Sequence, residues 1–104
     1  MIVEERVYRI KPGKMPEMLK AYQELGLEIQ KEKLGNLIGY FQTEIGGLNS
    51  LVHLWGYSSL DDRQRRRSEL AREPQWQRYL DVCTPLIDTM DNRILVPTDF
   101  SPIR

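Results

Sequence analysis

A chain of 104 residues, 40% hydrophobic and 29% charged, has the balance of one globular domain and no length to spare for a second. Fifteen basic residues match 15 acidic ones, and this zero net charge argues against attachment to nucleic acid or anionic membranes through the overall field. A single cysteine excludes an intrachain disulfide, and no apolar run approaches the ~20 residues of a membrane span.

The stretch from Ile2 to Ile10 mixes β-branched and aromatic residues with charges and predicts a first strand, closed by the turn signal Lys11-Pro12-Gly13. Met15, Met18, Leu19, Tyr22, Leu25, Gly26 and Ile29 then recur at intervals of three and four. That spacing draws one apolar stripe on a helix, with Gly35 as its C-cap. Asn36 to Ile45 has no helical period and carries Tyr40, Phe41, Thr43 and Ile45, the composition of a second strand. Gly46-Gly47-Leu48-Asn49 supplies the positive φ angles of a hairpin loop. Ser50 to Tyr57 alternates most cleanly. Leu51, His53, Trp55 and Tyr57 share one face, and Val52, Leu54 and Gly56 share the other. The smaller set is expected to pack against helices, leaving the aromatic set on the open face.

Ser58 and Ser59, followed by Asp61 and Asp62, give overlapping N-cap signals for a charged helix running to about Arg72. Pro74 starts a further helical stretch whose stripe is Trp76, Tyr79, Leu80, Cys83, Leu86, Ile87 and Met90, with a kink expected at Pro85. Asn92 to Val96 predicts a fourth strand, halted by Pro97, and residues from Thr98 to Arg104 form a tail. The resulting order is that of a ferredoxin-like βαββαβ sandwich of the α+β class, one domain over residues 1–104. Both helices lie on one face of an antiparallel sheet, and the other face needs a cover. With His53, Trp55 and Tyr57 placed there, two copies packed sheet to sheet would bury them and enclose a cavity. A homodimer forming a dimeric α+β barrel is therefore expected, in preference to cover by the short tail.

The run Gly39-Tyr40-Phe41, Thr43-Glu44-Ile45-Gly46, Leu48-Asn49 and His53-Leu54-Trp55 resembles the NIPSNAP domain. So do Tyr57, Ser59-Leu60-Asp61-Asp62-Arg63 and Arg66-Arg67, and the closing Pro74, Trp76, Pro85-Leu86, Asn92-Arg93-Ile94-Leu95 and Phe100-Ser101-Pro102. The resemblance covers nearly the whole chain and rests on many separated positions. It implies the same ferredoxin-like fold and dimeric barrel, and it implies no activity that transfers residue by residue. Animal members are linked to mitochondria. This chain has no room for their N-terminal targeting extension, and Met1-Ile2-Val3-Glu4-Glu5-Arg6 lacks a signal-peptide layout, so a bacterial cytoplasmic protein is expected.

His53, the one histidine, is the candidate general base, set against a structural reading as a hydrogen-bonded interface residue. Tyr40, His53, Trp55 and Tyr57 are the candidate lining of a pocket for a small apolar or aromatic ligand. Asp62, Arg63, Arg66 and Arg67 are candidates for an interaction surface. Their spacing with Asp61, Arg65 and Glu69 equally suits pairs on a solvated helix face, and the aspartates suit capping. Cys83 falls on an apolar stripe and predicts a buried thiol. No metal or cofactor is expected: one histidine and one cysteine do not make a zinc site, and Gly46-Gly47 lacks the lysine and helix of a phosphate loop. Two functions remain in play, a small-molecule-binding barrel open to catalysis and a non-catalytic interaction module.

Overall fold

The computed structural model describes residues 1–104. Strand β1 (Ile2–Ile10) lies between β3 (Ser50–Tyr57) and β4 (Ile87–Leu95), and β2 (Asn36–Gln42) pairs with the outer side of β3. Every pairing is antiparallel, giving the sheet order β2-β3-β1-β4. Two helical hairpin arms cover one face. The first runs α1 (Met15–Ala21), a π-helical turn (Tyr22–Gly26) and α2 (Leu27–Leu34). The second runs α3 (Leu60–Ala71), α4 (Pro74–Cys83) and a 3-10 turn (Thr84–Leu86). This is the ferredoxin-like α+β sandwich that the element order predicts.

Local chemistry sets the boundaries. Gly35, at φ +91°, ends α2, and its N–H reaches Lys31 O at 2.8 Å. Ser59 Oγ accepts from Asp62 N–H at 3.0 Å, while Asp62 Oδ2 accepts from Ser58 N–H at 3.1 Å, a reciprocal cap on α3. In the β2–β3 loop Gly46, Gly47 and Asn49 all take positive φ.

Two buried clusters fill the layer between helices and sheet. Ile10 and Leu51 of the sheet meet Met15, Met18, Tyr22, Tyr79, Cys83 and Leu86, and farther along Trp55 and Tyr57 meet Ile29, Leu34 and Leu70. The face of β3 is thus the reverse of the one expected. His53, Trp55 and Tyr57 point toward the helices and are 1%, 0% and 3% exposed within a single chain. The layer beneath a helix is deep and has to be filled to solid density, which long aromatic side chains do and valine does not. Val52 and Leu54 lie half-buried on the open face instead. Gly56 shares that face, and a Cβ there would come within 2.5 Å of Asn36 Nδ2.

Two further boundaries differ from expectation. Pro85 ends α4 rather than kinking it. With no N–H to continue the ladder the chain tightens into the 3-10 turn, and β4 starts at Ile87 rather than Asn92, so Ile87 and Met90 belong to a strand. The first helix is broken by the π turn, which no local feature of the sequence announces. The tail folds back against the open face, where Val96, Pro97, Ser101 and Ile103 border an apolar depression of about 230 Å³ with Val3, Ile38, Leu54 and Leu95. Phe41 and Phe100 remain 56% and 85% exposed.

Candidate functional site

Strand register places one row of side chains across the helix-facing side of the sheet. Tyr40 of β2 pairs with His53 of β3, His53 with Arg6 of β1, and Arg6 with Asn92 of β4. Strand alternation then sets Glu4 and Tyr8 on the same face as Arg6. Aromatic groups gather at the β2 end of this row, and charged groups gather toward β4.

At the aromatic end, His53 is stacked on Tyr40 with ring centroids 4.3 Å apart and meets the edge of Tyr8 at 4.9 Å. Tyr22 tilts against Tyr40, and Tyr79 lies beside Tyr22 and Trp76. Together with Gln30, Leu80 and Cys83 these rings surround a cavity of about 40 Å³, room for a few water molecules. The π turn brings Tyr22 into this wall, where its hydroxyl donates to the buried Gln30 side chain. Gly26 permits the close packing, since a Cβ there would stand 3.1 Å from both Tyr22 and Tyr79. A π turn beside a cavity with a buried polar pair is a recurrent mark of functional sites. Burial raises the Tyr22, Tyr40 and Tyr79 hydroxyls well above the ordinary tyrosine range and raises the Cys83 thiol, so all four are protonated near neutral pH.

The hydrogen bonds of His53 fix its chemistry. Trp55 Nε1–H donates to His53 Nδ1 at 2.8 Å, which makes Nδ1 the acceptor and leaves the proton of the neutral ring on Nε2. That Nε2–H is buried and finds no partner in the protein. Burial, and then the Arg6 charge, push the imidazole from its ordinary 6.5 down to about 3. A neutral ring whose basic nitrogen is already engaged is poorly suited to be a general base. It is a hydrogen-bond donor, able to hold or polarise an oxygen.

The charged end of the row was not legible in the chain. Glu4, 0% exposed, accepts at Oε2 from Arg6 Nη1 at 2.9 Å, Arg63 Nη2 at 2.7 Å and Asn92 Nδ2 at 2.8 Å. Arg6 also donates through Nε to the Tyr8 hydroxyl at 2.9 Å. Burial acts to raise the Glu4 carboxyl, but hydrogen bonds from Arg63 and Asn92 and the Arg6 charge outweigh it and hold the group at about 2. Arg63 and Arg67 therefore do not lie on a solvated face as expected. Arg63 is spent on Glu4, and Arg67 lies near Tyr57 and His53, whose ionisation it influences. Outside, Asp62 Oδ1 takes Arg65 at 2.6 Å and Arg66 at 3.0 Å. The four proposed surface residues thus split into an inner pair and an outer pair. Among the ligand-pocket candidates, Tyr40 and His53 line the cavity, whereas Trp55 supports His53 and Tyr57 lies toward the charged cluster. No three histidine, cysteine or carboxylate side chains converge as a metal site would require.

Both depressed groups tie stability to pH with the same sign. Between 6.5 and about 3 the unfolded imidazole takes up a proton that the folded one refuses, so stability falls as pH drops through that window. Glu4, at about 2 folded against its ordinary 4.5, adds a loss between those values. Urea midpoints should therefore decline already from about pH 6.5 to 5, above the carboxylate range, and His53→Phe should flatten that portion. A wild-type midpoint constant across that interval would contradict the buried neutral ring.

The family profile described as NIPSNAP matches residues 3–102. The chain is 37% identical over 101 residues to Protein NipSnap of Drosophila melanogaster, covering 97% of this chain and 36% of that protein. It is 33% identical to the Dictyostelium discoideum NipSnap homolog, covering 90% and 41% respectively. It thus spans well under half the length of these curated relatives. Among solved structures, a NIPSNAP family protein from Agrobacterium tumefaciens superimposes with a TM-score of 0.97 at 56% identity, covering 99% of this chain and 98% of that one. A putative antibiotic biosynthesis monooxygenase from Nitrosomonas europaea superimposes with a TM-score of 0.68 at 12% identity, covering 93% and 98%, a likeness of fold. No helix is long and apolar enough to cross a membrane.

Proposed function

This chain belongs to the NIPSNAP family, and from that premise we propose that it is a small-molecule-binding protein acting as a homodimer, with the cavity around His53 as its ligand chamber. The observation that carries the reading is the Nε2–H of His53, a buried donor without a protein partner inside a wall of aromatic rings. Leaving such a donor unpaired costs about 1–3 kcal/mol, a cost that a ligand oxygen would remove. The ligand is largely apolar, to match the rings, and carries one acceptor such as a carbonyl. Because the chamber is water-sized, admitting it requires Trp76 and Leu80, half-buried on α4, to move outward. Any catalysis would rest on His53 polarising the bound oxygen. The interaction-module alternative is weakened by the inward turn of Arg63 and Arg67.

Native mass spectrometry of the freshly purified protein tests the assembly and any copurified ligand, and acetophenone followed by proton NMR is the probe of the chamber. The expected result is a dimer whose His53 Nε2–H resonance shifts on adding acetophenone, with at least ~10-fold weaker binding in His53→Phe. A resonance that ignores the probe, with no copurified mass, would defeat the chamber reading.

The dimer now rests on a different surface from the one the aromatic residues of β3 first suggested. The open face presents Ile38, Phe41, Val52, Leu54 and Leu95, an apolar area that a second copy would cover in a dimeric α+β barrel. Leu54→Glu should give a folded monomer by light scattering with an unchanged far-UV spectrum. A dimer surviving that change would place the interface elsewhere. A cytoplasmic location belongs to the same proposal, supported by the free, buried Cys83.

A further inference from the structure

We infer that the charged cluster beneath α3 is the subsite for the polar end of the ligand, and that this end is a carboxylate with a neighbouring hydroxyl, as in a small 2-hydroxy acid. The inference rests on the chamber reading for the ligand's apolar part and on separate observations for its head group.

The first observation is charge. Two guanidinium groups, Arg6 from β1 and Arg63 from α3, converge on one carboxylate, Glu4, and a third, Arg67 of α3, lies close by at Tyr57 and His53. The groups facing them from β3 and β4 are His53, Tyr57 and Asn92, none of them charged near neutral pH. Asp62, the nearest acid on α3, is matched on the outside by Arg65 and Arg66. Two positive charges are thus left without counterions in a mostly buried place, which favours an anion.

The second observation is the set of polar atoms that find no protein partner. Glu4 Oε1, Tyr57 Oη, Arg63 Nε and Arg67 Nη1 are all buried and unpartnered, although Oε2 of the same Glu4 takes three donors. Glu4 and Tyr57 are 0% and 3% exposed. Native proteins rarely gather several such atoms without a reason. Two guanidinium N–H groups and a phenol can hold a carboxylate, and the one free carboxylate oxygen accepts a hydroxyl. The required guest therefore has negative charge, several acceptors and one donor.

The third observation is access. Met90, Asn92 and Ile94 lie on the helix-facing side of β4, paired opposite Tyr8, Arg6 and Glu4, yet all three are exposed. No helix covers this edge, so the cluster lies next to solvent there. Tyr8 links it to the chamber, bonding Arg6 on one side and meeting the His53 ring on the other.

The test uses the intact chain with glycolate, acetate, ethylene glycol and inorganic phosphate, followed through the arginine Nε–H resonances and by melting temperature. Glycolate should bind more tightly than acetate or phosphate, and ethylene glycol should leave the Arg63 and Arg67 resonances unmoved. Arg67→Met and Tyr57→Phe each remove one half of the weak Arg67–Tyr57 contact and no ion pair, so each should lower the melting temperature by no more than about 4–8 °C. Each should weaken glycolate at least ~10-fold, which a merely structural role would not do. Absence of glycolate binding at millimolar concentration, equal binding by both variants, or tighter binding of phosphate would each overturn the inference. If acetophenone still shifts His53 in that case, the chamber reading stands alone. If glycolate binds and acetophenone does not, the chamber reading falls and the head-group site stands.

Discussion

Replacing Glu4 by glutamine is expected to cost about 3–5 kcal/mol, the loss seen when one member of a buried ion network is removed and its partners are left charged. The carboxylate is wholly enclosed, and the Arg6 and Arg63 side chains that converge on it are 11% and 20% exposed. Glutamine keeps the shape and one acceptor oxygen but removes the negative charge that Arg6 and Arg63 share. For a domain of about 100 residues this corresponds to a fall in melting temperature of about 12 °C or more. Glu17→Gln is the contrasting case. Its partner Lys14 stands 3.9 Å away with both side chains more than half exposed, and stability should not measurably change. A Glu4→Gln protein within about 1 kcal/mol of wild type in urea unfolding would show that the network contributes little net stability. The Glu4 charge would then not be what holds Arg6 and Arg63 in place for a ligand head group.

The burial of Glu4 leaves no mark in the local sequence. Period-two alternation establishes that His53, Trp55 and Tyr57 share a face of β3, but not which face, because Val52 and Leu54 opposite are also apolar. The deciding information lies in β1, whose Glu4 and Arg6 share the face of Tyr8. Read along the strand they pass for solvent-facing charges. They are buried because Arg63 and Asn92 arrive from 59 and 88 residues away, distances that no local pattern spans. Features decided within a few residues were legible. Ser59 caps α3, Gly35 ends α2, and Cys83 is buried on the stripe of α4. The π turn carries no composition of its own, and Pro85 fits both a kink and a helix end until Ile87 is seen paired with Ile10. His53 stood out by being the one histidine, but its role as donor rather than base depends on which ring nitrogen Trp55 occupies.

Trp55 is therefore the residue on which packing and function can be separated. Trp55→Ala should cost about 3–5 kcal/mol, since the indole is fully buried against Ile29, Leu34 and Leu70 and nothing nearby can fill its volume. In a domain whose whole stability is of the order of 5–15 kcal/mol, that loss alone is a large share of the total. Trp55→Phe keeps most of the packing and deletes the N–H. It should cost about 1–3 kcal/mol, the penalty for leaving the Nδ1 acceptor of His53 unpaired. Its main effect is on proton position. Nothing then holds Nδ1 as the acceptor, and the two neutral tautomers come closer in energy. Nitrogen-15 spectra should show a single tautomer in the wild type, with the proton on Nε2, and mixing toward Nδ1–H in Trp55→Phe. Acetophenone binding should weaken in step with the lost Nε2–H population even though the chamber walls are intact. A wild-type ring already carrying its proton on Nδ1, or titrating near 6.5, would remove the buried donor, and the functional reading of the chamber would go with it.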